Sequence, residues 1–278
     1  MVATPIGNLR DITLRALDIL AAADRIYAED TRVARKLLDA HGISTPLSAY
    51  HEHNAEAARA EILPALADGA RIALISDAGT PLISDPGFKL ARAAAEQGAR
   101  IIPAPGPSAL LAGLVGAGLP TDRFLFAGFP PSRSAARAEF FSELADIRAT
   151  LAFYETGPRL AESLAAMAEA FGPRQAAIAR ELTKLYEEFR RAPLGELAAH
   201  YAEAGPPRGE IVVLVGPPGA SETSDAALDA FLSEALSDQS VKHAAAAAAE
   251  VLGVARKRAY TRALALKASS QNDNGAAQ

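Results

Sequence analysis

The chain of 278 residues contains no cysteine. Disulfides, thiolate metal sites and a cysteine nucleophile are therefore excluded, and a cytosolic protein is expected. No apolar run reaches the ~18 residues that a membrane-spanning helix requires. The opening MVATPIGNLRD has no basic segment leading into an apolar core, so no signal peptide is expected. Standard nucleotide signatures are missing too. No GxGxxG follows the first strand-like run, and no GxxxxGK(S/T) occurs. Gly216-Pro-Pro-Gly-Ala-Ser221 follows a strand-like run as a P-loop would, but lacks the lysine that reaches phosphates. His51 and His53 flank one glutamate without an evident third protein ligand, so no metal is expected. The chain has no internal repeat.

What is present is a globular composition. Half of the residues are apolar and 22% are charged, in a chain long enough for two ordinary domains. The net charge of −5 is unevenly spread. Residues 239–278 hold six Lys/Arg and two Asp/Glu, hence +4, whereas residues 1–238 hold 22 and 31, hence −9. A basic tail on an acidic body fits either a nucleic-acid contact or a solvated helix face.

Short apolar runs alternate with helical spacing. Arg25–Ala28, Arg71–Ile75 and Ala99–Pro103 read as strands; Leu14–Ala23, Thr31–Ala40, Asn54–Leu66 and Phe88–Gln97 read as helices. Such alternation predicts βαβ units, a largely parallel sheet and an α/β fold. Asn54 suits a helix N-cap, and Gly69 and Gly98 suit helix ends. Met1–Asn8 is short for a first strand. After an expected linker at Gly113–Asp122, a second block offers strands at Phe124–Ala127, Thr150–Tyr154, Gln175–Ala179 and Glu210–Val215. Its helices are expected at Ser134–Ala145, Leu160–Phe171 and Leu194–Ala204. The polar stretch Gly216–Ser224 leads into a helical segment, 225–268, and the closing SSQNDNGAAQ reads as disordered.

In a parallel sheet, ligands bind beyond the C-terminal ends of the strands. Three loops there are built from Gly, Pro and small hydroxyls: Thr4–Asn8, Ser76–Gly87 and Pro103–Ala109. Glycine lets a ligand approach the main chain, and proline fixes the turn. One such loop only turns the chain; three on one sheet point to a ligand.

These loops belong to a longer series. VATPIGNLRDITLRAL (2–17), AEDTR (28–32), YHEHN (50–54), SDAGTPLISDPG (76–87), PGPSA (105–109), GLPTDRFLFAGF (118–129), FYET (153–156), ARELTKLYEE (179–188) and RGEIVVLVG (208–216) occur in that order. Together they closely resemble the ribosomal RNA small-subunit methyltransferase I family, within the tetrapyrrole-methylase-like S-adenosylmethionine enzymes, over about residues 2–267. The resemblance departs at the N-terminus, where part of the first strand is missing.

The resemblance implies two α/β domains of tetrapyrrole methylase type, 1–117 and 118–219, with a helical basic tail at 220–278. It implies S-adenosyl-L-methionine folded in the cleft between the domains, a homodimer, and a small-subunit ribosomal RNA substrate. The implied reaction is 2′-O-methylation of a cytidine ribose in the decoding region. By resemblance, Pro5 and Ile6 line the floor of the donor site, Asp77 bonds the donor, and Ala78, Gly79, Thr80, Ser108 and Ala109 offer contacts. Tyr154 and Leu182 close over the adenine with Ile211 behind. Asp85 reads more simply as a cap for a helix starting near Pro86.

Methyl transfer needs alignment, and a ribose hydroxyl benefits from a base. An acidic residue near the transferred methyl in the wider group makes Asp30 the first candidate and Glu29 the second; Asp30 also suits an N-cap. Arg32, His51, His53 and Lys184 are candidates for phosphate or ribose contacts, although Lys184 and Arg190 also suit ion pairs with Glu187 and Glu188. Val241–Arg262 reads as a helix, a glycine turn and a basic helix, the pattern of a helix-turn-helix. Arg256, Lys257, Arg258 and Arg262 would then meet RNA phosphates, or else decorate an ordinary helical pair. Two other readings stay open. One is a tetrapyrrole-like small-molecule methyltransferase, which would not need the basic tail. The other is a non-catalytic RNA-binding protein, which would not bind the donor.

Overall fold

A computed structural model describes residues 1–219 and 225–275, with side chains as far as residue 268. The chain forms two compact units, Met1–Pro217 and Pro218–Gln278.

The first unit opens with α1 (Leu14–Ala22), β1 (Arg25–Ala28), α2 (Thr31–Ala40), β2 (Leu47–Ala49), α3 (Ala55–Ala67), β3 (Ile72–Ile75), α4 (Phe88–Glu96) and α5 (Ala109–Gly116). The three strands form a parallel sheet in the order β2-β1-β3. Helices cover both faces, which is why Ile26–Ala28 and Ala73–Ile75 are continuous apolar runs. Leu20 and Leu38 pack with Ile26 in one cluster; Ile62 and Leu90 pack with Tyr27 in another.

The same unit continues with β4 (Phe124–Phe126), α6 (Ser134–Leu144), β5 (Thr150–Thr156), α7 (Gly157–Phe171), β6 (Gln175–Arg180), β7 (Glu188–Pro193), α8 (Leu194–Ala204) and β8 (Glu210–Val215). This sheet has the order β4-β5-β8-β6-β7. Only β4 and β5 are parallel; β8 slots between β5 and β6, antiparallel to both. Its largely aliphatic core holds an aromatic cluster, with Phe141 5.6 Å from Phe153 and 5.5 Å from Phe171 between ring centroids.

Several expectations need correction. Residues 99–103 form no strand: the adjacent segment is the short Met1–Ala3, which gives one bridge, from Val2 to Ala104, and one bond from the Met1 amine to the Ile102 carbonyl at 3.1 Å. The expected linker at Gly113–Asp122 begins inside α5, whose N-cap Ser108 accepts a bond from the Leu111 amide at 3.4 Å. Two strands carried too little apolar signal to be expected. β2 is short, and β7 is the charged edge sequence EFRRAP, held by pairing with β6. Asn54 does occupy an N-cap position, but its side chain turns back to accept from the His51 amide and donate to the Ala49 carbonyl.

The second unit contains α9 (Asp225–Asp238), α10 (Val241–Leu252) and α11 (Arg256–Gly275). Leu228, Leu232, Ala244, Ala248, Ala259 and Ala263 form its core. Gly253 is left-handed (φ 66°) and allows the turn between α10 and α11. The closing segment, expected to be disordered, continues this helix to Gly275. Residues 276–278 and 220–224, the latter including the end of the P-loop-like segment, lie outside the described residues. No helix among the described residues is long and apolar enough to cross a membrane.

Candidate active site

The three glycine- and proline-rich loops of the first sheet are bonded to one another. The Thr4 amide donates to the Gly79 carbonyl at 2.8 Å and the Gly79 amide donates back at 3.0 Å. The Thr4 hydroxyl donates to the Ser76 carbonyl, and the Thr80 hydroxyl to the Pro107 carbonyl, each at 3.2 Å. Gly79 has φ 82°, and a Cβ there would already touch Ile6 at 3.4 Å. This is a backbone corner that only glycine adopts without strain.

The second sheet faces these loops through the end of β5, the start of β8 and the hairpin turn between β6 and β7. The turn leans on the first loop: a Cβ at Gly7 would lie 2.5 Å from Lys184 Cγ. Between the two sheets is a cavity of about 380 Å³, within the size range of small-molecule sites.

Of the residues singled out for a donor, Ile6, Asp77, Ala78, Gly79, Thr80, Ser108, Ala109, Tyr154, Leu182 and Ile211 line this cavity. Pro5 is buried and does not line it. Tyr154 is fixed edge-on against Phe126 at 4.8 Å.

The carboxylates of the wall differ sharply. Glu29 lines the cavity; burial first, then the Asp77 charge, raises its pKa, while nearby His51 opposes the rise. Asp77 accepts a bond from the Asp30 amide at 2.8 Å. Asp85 is pushed up to about 6, by desolvation first and then by the charge of Glu29. Glu155 is committed to structure, accepting from the Thr156 amide and from Ser163 and pairing with Arg159.

Asp30 does not line the cavity. It caps α2 by accepting from the Arg32 amide, and its carboxylate binds the Arg32 guanidinium at 2.6 Å. That bond, before any other influence, holds Asp30 down at about 2. Asp30, the first candidate, is thus engaged by Arg32 and absent from the cavity wall, and Glu29 is the member of the pair that lines it.

Asp85 also departs from its expected role. Helix α4 starts at Phe88 behind Gly87, whose φ is 129°, so Asp85 caps nothing. Leu82 and Ser84 hold φ values of 74° and 66°, and this strained path carries Ile83, Ser84 and Asp85 onto the cavity wall. Sequence reasoning also missed Phe129, Glu155, Thr156, Gly209, Glu210 and Val212 on the wall. The signal for Asp85 lies in its own motif, where a second Ser-Asp follows the ligand-facing first.

The cationic candidates are scattered. Arg32 keeps its side chain 87% exposed despite its ion pair. His51 is half-buried, its ring centroid 6.1 Å from that of exposed His53. Among the described residues no group of three or more His, Asp or Glu could hold a metal. Lys184 is tied to Glu181 at 2.8 Å and Glu210 at 3.1 Å, rather than to Glu187 or Glu188. In the helical unit, Arg258 pairs with Asp225 at 2.8 Å and Arg262 with Asp229 at 2.5 Å, while Arg256 and Lys257 are exposed.

Comparison with known proteins adds a family context. A family model described as Tetrapyrrole (Corrin/Porphyrin) Methylases matches residues 1–198, and one described as the RsmI C-terminal HTH domain matches residues 222–267. The chain is 51% identical to a protein named Ribosomal RNA small subunit methyltransferase I from Mesorhizobium japonicum, over 99% of this chain and 94% of that one. It is 46% identical to the protein of the same name from Pseudomonas aeruginosa, over 95% of each. Among solved structures, a diphthine synthase superposes with a TM-score of 0.61 at 17% identity, covering 77% of this chain and 88% of that one. A cobalt precorrin-4 methyltransferase superposes with a TM-score of 0.59 at 16% identity, covering 77% and 92%. These two share the fold.

Proposed function

Because the chain belongs to the tetrapyrrole methylase family and, within it, to the ribosomal RNA small subunit methyltransferase I group, we propose that it methylates small-subunit ribosomal RNA. The donor is S-adenosylmethionine and the acceptor is the 2′-hydroxyl of a cytidine ribose. One observation carries the donor assignment. The cavity wall combines main-chain corners, apolar side chains and the carboxylates of Glu29, Asp77 and Asp85, besides Glu155 and Glu210, which pair with Arg159 and Lys184, and no lysine, arginine or histidine lines it. A phosphate-bearing donor would meet repulsion there, whereas a cationic one is attracted.

S-adenosylmethionine supplies a methyl group on a cationic sulfur. Ile6, Ala109, Leu182 and Ile211 would flank its flat heterocycle, with Tyr154 closing one side. The amides and carbonyls of 77–80 and 108–109 would satisfy its polar groups. Asp77 Oδ1 is engaged by the Asp30 amide, which orients its other oxygen for a donor group of the ligand.

The proposal includes a two-lobed site from residues 1–117 and 118–219, a homodimer, and RNA contacts from exposed Arg32, His53, Arg256 and Lys257. Arg258 and Arg262 would add to the field despite their ion pairs. Exposed Leu111 and Val115, one turn apart on α5, are consistent with a protein interface.

The test is methyl transfer from labelled S-adenosylmethionine to small ribosomal subunits that lack the modification. The expected product resists alkaline cleavage at one cytidine, because a 2′-O-methyl group removes the internal nucleophile. Donor binding without transfer overturns the acceptor assignment, and no donor binding overturns the donor assignment.

A further inference from the structure

We propose that Asp85 is the general base of the methyl transfer and that Glu29, on the same cavity wall, is a positioning residue that acts through it. This rests on the donor and acceptor classes proposed above.

The geometry carries the argument. Asp85 reaches the cavity wall on a loop with two strained non-glycine residues, Leu82 and Ser84. Such strain persists where the surrounding structure imposes it, and here helix capping does not explain it. Asp85 shares the cavity wall with Glu29 from the end of β1, Asp77 from its own loop and Tyr154 from β5. Two of these are carboxylates, and no lysine, arginine or histidine lines the wall. Glu29, by contrast, has His51 beside it. Desolvation and like charge both favour the protonated form of Asp85, moving it to about 6. A base is most useful with an affinity near the working pH.

The step balances without a further reactant. The ribose O2′ attacks the methyl carbon of the sulfonium as its proton passes to an Asp85 carboxylate oxygen. A carbon–oxygen bond forms, the carbon–sulfur bond breaks, and its electron pair stays on sulfur. The products are the 2′-O-methyl ribose, the neutral thioether and protonated Asp85, which returns its proton to water.

The experiment uses the full-length protein, small ribosomal subunits lacking the methyl group, and S-adenosylmethionine. Three measurements are made: turnover against pH, donor affinity by calorimetry, and carboxyl titration of the donor-free protein by carbon-13 NMR. Wild type should show an acidic limb near pH 6, and the Asp85 carboxyl should titrate near the same value. Asp85→Asn should lower turnover by roughly a hundredfold or more, abolish that limb and weaken donor binding by a far smaller factor than it lowers turnover. Asp85→Glu should recover part of the rate. Glu29→Gln should move the limb to lower pH while costing less turnover than Asp85→Asn. A full-rate Asp85→Asn enzyme with its limb intact overturns the proposal, as does loss of the limb in Glu29→Gln alone. Should Asp85→Asn fail to fold, the wild-type titration and the Glu29→Gln profile decide. Absence of donor binding or RNA methylation in wild type would instead refute the underlying function.

Discussion

The loop Ser76–Gly87 and the hairpin turn Glu181–Glu187 border the same cavity and pay for their shapes in the same way. Each holds two non-glycine residues at positive φ, Leu82 and Ser84 in one, Glu181 and Thr183 in the other. Their charges differ. In the hairpin turn, Lys184 joins Glu181 and Glu210, and the Glu187 carboxylate accepts from the Thr183 amide at 2.7 Å. In the first loop, Asp77 and Asp85 line one cavity wall with another carboxylate, Glu29. A paired turn holds a wall in place. A loop with like charges gathered in partly dry surroundings stores proton affinity, which is what chemistry at neutral pH uses.

The hardest break of this contrast is steric. Gly87 has φ 129°, and a Cβ there would lie 2.7 Å from Leu82 and 2.8 Å from Leu74. Gly87→Ala should destabilise the protein by about 2–4 kcal/mol from strain and overpacking. Turnover should fall at least tenfold as Asp85 is displaced. Thermal unfolding and turnover measured together check this; unchanged turnover in the variant would mean that the loop's path does not matter for chemistry.

Next in size is removal of the hairpin cation. Lys184→Met should cost about 1 kcal/mol, since it leaves two carboxylates side by side. The bond from Lys184 is the largest influence holding the Glu181 carboxyl below its ordinary range. That stabilisation is present above the ordinary glutamate range and is lost as pH falls through the lowered value. Acid unfolding of Lys184→Met should therefore begin at higher pH than in wild type. Equal unfolding free energies of variant and wild type at neutral pH would show that the pair contributes nothing.

A smaller effect is expected in the helical unit. Because Arg258 and Arg262 already meet Asp225 and Asp229, replacing both Arg256 and Lys257 by Gln should weaken RNA binding more than replacing Arg262. Each lost phosphate contact should reduce the salt slope by roughly one. An unchanged slope removes this helix from the RNA interface.

Much of the fold was legible where apolar periodicity was strong. Thr31–Ala40, Leu194–Ala204 and Glu210–Val215 form elements with the bounds read from the sequence. What escaped was set by partners far along the chain. β7 is a strand because β6 supplies its bonds, and residues 99–103 are not one because the short segment Met1–Ala3 supplies too few. The strand-end loops announced a cavity through their glycines, prolines and hydroxyls. Asp85 was hidden because Asp-Pro is also good capping chemistry, and only the late start of α4 separates the two roles.

The same division of labour runs through adjacent residues at the end of β1, and there the smallest effect is expected. Glu29 faces the cavity beside Asp77; Asp30 caps α2 and holds Arg32. Asn caps helices as well as Asp does, so Asp30→Asn loses mainly the ion pair with Arg32, whose guanidinium is largely exposed. A carboxyl held at about 2 gives up little basicity near neutrality when it becomes an amide. Turnover should stay within about twofold of wild type, whereas proton acceptance by a positioned group contributes ~100-fold or more. A hundredfold fall with donor affinity intact would reverse the assignment, making the capped, arginine-bound carboxylate the reactive one and the strained loop mere scaffolding.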